Sequence, residues 1–255
     1  MIRSRERREQ LLEALRAGEA DVEELAARFG VSASTVRRDL QRLSRDNAVR
    51  RTYGGAILAN HHPETTLGER FSVNNAAKRA IAKAAAALVA DGDTLILDAG
   101  STVVAFAERL RGRKLTIVTN NLAVLPLLAD EASIEIIALG GALRATSMGT
   151  VGPLAVEAMR RLTADRVFMS ADGVVAGRGL CEASLEQVAL KSLMMAQARE
   201  TVVLADATKI GRANCSAWAP LPAQWTLVTD ADEQWDKISE LERYGARVVT
   251  AGGNR

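Results

Sequence analysis

The chain has 255 residues, 48% hydrophobic and 25% charged, the balance of a globular protein able to bury its own core. No stretch reaches the roughly 18 uninterrupted apolar residues of a membrane span, and the opening MIRSRERREQ lacks the apolar run of a secretory signal, so a cytoplasmic protein with no membrane contact is expected. The formal charge of +2 is unevenly placed: residues 1–55 hold 12 Arg and no Lys against 9 acidic residues, a net of +3, and the rest sum to −1. The basic end points to a polyanionic partner, with a solvated helix face as the plainer reading of the same charges.

In chain order, residues 3–16 carry Leu11, Leu12 and Leu15 at helical spacing, with Gly18 as a stop. Asp21 is placed to cap a second helix over 22–29, which Gly30 breaks. Ser32 is placed to cap a third, whose Val36, Leu40 and Leu43 form an apolar stripe at i, i+4 and i+7. Residues 49–53 read as a strand turning at Gly54-Gly55, a small wing. Residues 59–66, with both histidines and Pro63, show no periodicity and read as linker. Beyond them, strands are expected at 94–98, 115–119, 134–139, 166–170, 201–205, 225–228 and 247–250. Helices are expected at 76–89, 103–110, 122–130, 154–162, 185–199 and 233–244. That alternation implies a mostly parallel sheet covered on both faces, with ligands at the carboxyl ends of its strands. The fold class is therefore a two-domain chain: a winged helix-turn-helix at 1–57, a linker at 58–74 and an α/β domain at 75–255.

Residues 22–40 hold what a helix-turn-helix needs: small Ala26 for close approach, Gly30 for a left-handed turn, and Val36 to pack the second helix on the first. The outer face then offers Ser34, Thr35, Arg37, Arg38 and Gln41, donors for phosphates and base edges, with Ser32 at the amino end. Arg50, Arg51, Tyr53 and Gly54 of the wing complete the DNA-binding candidates. Asp39 is expected to pair internally with an arginine, because phosphates would repel its carboxylate. The alternative is an amphipathic helical hairpin with a basic surface. One recognition helix covers only a few base pairs, so a homo-oligomer, dimer or tetramer, is expected on double-stranded DNA.

Arg8 with Leu12, the run Ser34-Thr35-Val36-Arg37-Arg38-Asp39-Leu40, and the wing Arg50-Arg51-Thr52-Tyr53-Gly54-Gly55-Ala56 resemble the DeoR family of bacterial sugar-responsive regulators. The family's wing usually reads R-x-H-G-G-A, so Tyr53 replaces a common histidine and brings no imidazole to that position. The resemblance runs nearly to the carboxyl end. It implies a repressor of a carbohydrate operon, commonly relieved by ligand, and a sensor domain similar in fold to ribose-5-phosphate isomerase.

In the sensor, Leu97-Asp98-Ala99-Gly100-Ser101-Thr102 is a strand entering a small-residue loop that opens a helix, where backbone N–H groups and the helix dipole can hold a phosphate. A tight turn with Asp98 and Thr102 as caps would look the same. Polar groups gather at other strand ends: Thr119-Asn120-Asn121, Gly140-Gly141, Ala171-Asp172-Gly173 and Asp206-Ala207-Thr208-Lys209. Ser101, Thr102 and Lys209 suit the phosphate of a phosphorylated sugar, and Asp98, Asn120, Asp172 and Glu182 suit its hydroxyls. Gly100, Thr119, Gly140, Gly141 and Gly173 complete the effector-binding candidates. Asp206, Lys209 and Gly211 look like the family's D-x-[ST]-K-x-G motif. Arg144 is a further phosphate candidate, whereas Glu186 and Lys191 read as surface or supporting groups. The competing reading is a sugar-phosphate isomerase or deaminase fused to a DNA-binding module. Against it, no histidine stands near a strand end, and Asp172-Gly173 is followed by Val174-Val175 instead of completing a D-G-A-D acid pair. No catalytic residue, metal or cofactor is expected. Cys181 and Cys215, 34 positions apart without a CxxC, read as buried or incidental thiols.

Overall fold

The computed structural model describes residues 4–16, 21–45, 49–51, 56–58, 65–232 and 234–252. Three helices, α1 (Ser4–Arg16), α2 (Val22–Phe29) and α3 (Ala33–Arg45), precede an antiparallel ribbon of β1 (Val49–Arg51) and β2 (Ala56–Leu58). Asp21 caps α2, its carboxylate accepting from the backbone N–H of Glu23 at 2.7 Å and Glu24 at 3.1 Å. Gly30 ends that helix at φ +61°, a left-handed conformation that costs glycine little, and its successor Val31 returns an N–H to Ala26 O. Leu11, Leu15, Val22, Leu25, Val36, Leu40 and Leu43 close one small core, as the apolar spacing requires.

Part of the expected linker is helical. Thr66 and Glu69 form a capping box that starts α4 (Leu67–Ser72), because each side chain satisfies a backbone N–H of the other's turn. Then follow α5 (Asn75–Ala86), β3 (Thr94–Leu97), α6 (Ser101–Ala107), β4 (Leu115–Thr119), α7 (Leu125–Leu128) and β5 (Ile134–Ala138). A hairpin of β6 (Ala142–Arg144) and β7 (Gly149–Val151) leads to α8 (Pro153–Met159), β8 (Ala164–Met169), β9 (Gly173–Val175) and β10 (Gly179–Glu182). The chain continues through α9 (Leu185–Gln197), β11 (Ala198–Leu204), β12 (Ala217–Ala219), β13 (Trp225–Thr229), α10 (Asp236–Arg243) and β14 (Ala246–Thr250).

The seven strands read from the sequence form one parallel sheet in the order β14-β13-β11-β8-β3-β4-β5. Alternate residues feed opposite faces: Ile96, Val118, Val167 and Val203 join one core with α8, α9 and α10, whereas Leu95, Leu97, Ile117 and Phe168 join another with α5 and α6. Both faces are thus dry, which is why these strands are near-continuous apolar runs. From β3 the chain works outward through β4 to β5, then returns to β8 and works outward the other way. The order reverses between β3 and β8, so their carboxyl ends form the crevice where such sheets bind ligands.

One further expectation is corrected. The helix expected at 122–130 shrinks to Leu125–Leu128, because Pro126 sits in its first turn and Asn121 Oδ1 accepts from Ala123 N in a local turn just before it. The β6–β7 hairpin and a three-stranded antiparallel sheet in the order β12-β10-β9 were not read at all. Strands of three or four residues are too short for a period of two to register.

Candidate functional site

On α3, Ser34, Arg37, Arg38 and Gln41 are exposed and Thr35 is half-buried, while Val36 and Leu40 face the core. Ser32 Oγ lies 2.8 Å from Ser34 Oγ and 2.9 Å from Thr35 Oγ1 and accepts from Thr35 N, which holds the helix start. Arg37 pairs with Glu23 on α2 at 3.0 Å, both well exposed. Asp39 is buried and receives Arg7 Nε at 2.6 Å, the internal pairing expected of it. The exposed Arg42, one turn beyond Arg38, belongs to the same face and was overlooked. Arg50 and Arg51 lie on β1 of the wing ribbon, and Tyr53 and Gly54 fall outside the described residues.

In the α/β domain, Asp98 follows β3 and is 3% exposed. It takes an ion pair from Lys191 of α9, whose Nζ also donates to Ser170 O, beyond β8, at 2.5 Å and stands 3.1 Å from Glu182 Oε1. Lys191 thus clamps the two strand ends that flank the switch point. The surface reading of Lys191 is corrected: it is 3% exposed, set among Leu190, Met194 and Met195, and that apolar setting was the signal. Glu186, by contrast, is exposed. Burial pushes the Glu182 carboxyl up to about 8 against the pull of Lys191. Burial opposes the charge of Lys191, but Asp98 and then Glu182 outweigh it, so its ammonium is held above the usual lysine range.

The loop between Asp98 and α6 is tightly bounded. Gly100 has φ +155°, and a Cβ there would lie 2.1 Å from Ser170 Oγ. Ser101 and Thr102 are buried in the first turn of α6, which no side-chain cap closes, so the reading of Asp98 and Thr102 as caps fails. Thr119 Oγ1 donates to Leu97 O at 2.7 Å and accepts from Asn121 N, an internal peg between β3 and β4. Asn121, of the Thr119-Asn120-Asn121 run, donates to Asp98 O at 3.1 Å and Gly100 O at 3.4 Å. Asn120 donates to Thr150 O at 3.0 Å, and its Oδ1 is buried with no hydrogen-bond donor among the described residues. Glu182 Oε1, also buried, has the Lys191 ammonium 3.1 Å away as its charged partner. Gly140 and Gly141 are exposed at the foot of the β6–β7 hairpin.

Gly173 lets β9 meet the loop after Lys209, where a Cβ would fall 1.8 Å from Arg212 O, and Gly211 N donates to Val174 O at 2.7 Å. Asp172 and Lys209 are thereby neighbours. Burial lowers the Lys209 pKa, and Arg212 and Arg70 add to that against Asp172 and Asp206. Binding an anion would relieve such a lysine. Cys181 and Cys215 are both buried free thiols, with Cys215 N donating to Cys181 Sγ at 3.0 Å. A cleft of about 460 Å³ lined by Thr94, Asp165, Gln197 and Arg199 opens at the opposite, amino ends of the strands, where sheets of this kind do not hold ligands. Among the described residues, no helix is long and apolar enough to cross a membrane.

Residues 7–62 match the DeoR-like helix-turn-helix domain, and residues 73–231 match the DeoR C terminal sensor domain. The HTH-type transcriptional repressor GlcR of Bacillus subtilis is 33% identical over 228 residues, 89% of this chain and 88% of its own. The lactose phosphotransferase system repressor of Lactococcus lactis is 30% identical over 249 residues, 95% of this chain and 97% of its own. Among solved structures, a ribose 5-phosphate isomerase from Methanocaldococcus jannaschii is 22% identical over 53% of this chain and 54% of its own, at a TM-score of 0.39. A basic recognition helix joined to a parallel-sheet sensor, matched over both parts, makes this chain a member of the DeoR family of DNA-binding transcriptional regulators and not an enzyme.

Proposed function

We propose that this regulator is a cytoplasmic homo-oligomeric repressor of a carbohydrate-metabolism operon, released from its operator by a phosphorylated sugar. In this reading residues 1–57 read DNA, 58–74 connect, and 75–255 sense. Ser32, Ser34, Thr35, Arg37, Arg38, Gln41 and the wing face the duplex. The observation that carries the sensing role is the buried acceptor Asn120 Oδ1, which has no donor among the described residues. An acceptor left so costs about 1–3 kcal/mol. A polyhydroxy ligand supplies the missing donor, while Ser101, Thr102 and Lys209 take its phosphate. Asp98, whose carboxylate is already paired with Lys191, and Asp172 border the same crevice.

The test has two arms. Duplexes selected from random DNA by the full chain define the operator. Glucose 6-phosphate, fructose 6-phosphate, ribose 5-phosphate and glycerol 3-phosphate are then compared with their unphosphorylated parents for thermal stabilisation and operator release. A ligand at 100 times its Kd adds roughly 2.7 kcal/mol. The reading fails if no phosphorylated member acts, or if the unphosphorylated compounds act equally well.

A further inference from the structure

The chain leaves the DNA-reading segment and enters the sensor through α4, and α4 is tied to both halves of the effector crevice. On one side, Thr146 O, in the turn of the β6–β7 hairpin, accepts from Leu67 N at 2.8 Å and from Arg70 Nη2 at 3.0 Å. That hairpin is bonded in turn to the loop after β4: Thr150 N donates to Asn120 O at 2.9 Å, Asn120 Nδ2 to Thr150 O, and Leu122 N to Met148 O at 2.9 Å. Asn121 in the same loop holds Asp98 O and Gly100 O, the backbone of the phosphate loop.

On the other side, Asn74 closes the α4–α5 turn in the left-handed region, at φ +52°. Its Nδ2 donates to Asp206 Oδ1 at 3.1 Å and Thr208 Oγ1 at 3.4 Å, immediately before Lys209. The buried Lys78 of α5 reaches back to Arg70 O and, at 2.8 Å, to Val73 O, holding the end of α4 and the residue after it. Leu67 is buried and α4 packs on α6, the helix that the phosphate loop opens.

We infer that α4 and the Asn74 turn are the coupling strap of this regulator, tied to the Asp98–Thr102 loop through Thr146 and to Lys209 through Asn74, so that effector binding shifts α4 and with it the path into the DNA-reading domain. The inference rests on the sensor reading proposed above. A ligand that draws the phosphate loop and Lys209 together loads both tethers of one helix. Coupling between two sites of one protein is typically worth about 5 to 150-fold in affinity.

Asn74→Gly tests it cleanly, because glycine keeps the left-handed turn and removes only the side-chain tether. Lys78→Met is the second variant, removing the ammonium that holds the end of α4 while keeping most of the side chain's length. Without any sugar phosphate, at least one variant should change operator affinity fivefold or more, with the thermal midpoint of the sensor within about 3 °C of wild type. With the active member of the sugar-phosphate panel, that variant should bind the compound within threefold of wild type while its operator release falls below twofold. Unchanged operator affinity in both variants, or wild-type release in both, overturns the strap. If no sugar phosphate binds the wild type, the sensor reading has failed, and the ligand-free operator affinities alone decide whether the strap stands.

Discussion

The Lys191 ammonium stands 3.1 Å from Glu182 Oε1, and both side chains are almost wholly buried at the end of β10 and the middle of α9. Asp98 is the partner that bonds the ammonium, so Glu182 gains too little from it to offset burial and keeps its proton to about 8.

Stability should therefore fall as pH rises. The unfolded carboxyl ionises near 4.5, whereas the folded one holds its proton to about 8, so the native state carries the extra proton between those values. Stability present below the unfolded value is lost up to the folded one, with a slope approaching 1.36 kcal/mol per pH unit for one proton, as an order-of-magnitude ceiling. Urea unfolding at pH 5, 6, 7 and 8 should show this slope flattened in Glu182→Gln. Parallel wild-type and variant curves would contradict the assignment.

Arg37 is paired with Glu23, and in the proposed reading it exchanges that carboxylate for a phosphate on DNA, while the neighbouring Arg38 is exposed on the same helix. Replacing both by Ala should lower the slope of log K against log salt by about 1.8, since each phosphate contact contributes about 0.9. A variant that keeps wild-type affinity and slope shows that α3 is not the recognition helix. A relaxed sequence preference at unchanged slope assigns the arginines to base edges instead.

Cys215 should be a poor nucleophile. Its hydrogen bond with Cys181, then burial, then the charge of Asp172 push its thiol up, so less thiolate exists near neutral pH than in a free cysteine. Iodoacetamide at pH 8 should modify native Cys215 at least about tenfold more slowly than the urea-unfolded chain, read by mass spectrometry. Its Sγ also faces Asp172 Oδ2 at 3.6 Å, so a ligand engaging Asp172 should alter the rate further. Equal rates in native and unfolded chains would refute the buried hydrogen-bonded pair.

The parts legible in the sequence are those with a period. The stripe Val36, Leu40 and Leu43 located α3, and strand runs such as 115–119 located the sheet, because buried faces impose spacing. Lys191 was hidden because a buried lysine looks, by residue type, like a surface one until its partner is known, and Asp98 lies 93 positions away. The tether from Asn74 to Asp206 spans 132 positions and leaves no local pattern. Asp98, Asp172 and Lys209 were singled out through their places at strand ends, and their part in binding an effector is proposed. The supporting bonds of Asn121 and Thr119 emerged only from packing.

The most direct measurement titrates the wild-type protein–operator complex with the stabilising sugar phosphate, beside Lys209→Ala, following operator occupancy by fluorescence anisotropy. Wild type should release its operator as the sugar phosphate saturates. Lys209→Ala should bind operator with unchanged affinity and need about 10 to 100-fold more ligand, because a charge-assisted hydrogen bond contributes roughly 1.5–3 kcal/mol. A variant that releases at the wild-type concentration, or one that cannot hold its operator before any ligand is added, would contradict a sensor built on Lys209 and separate from the DNA-reading helix.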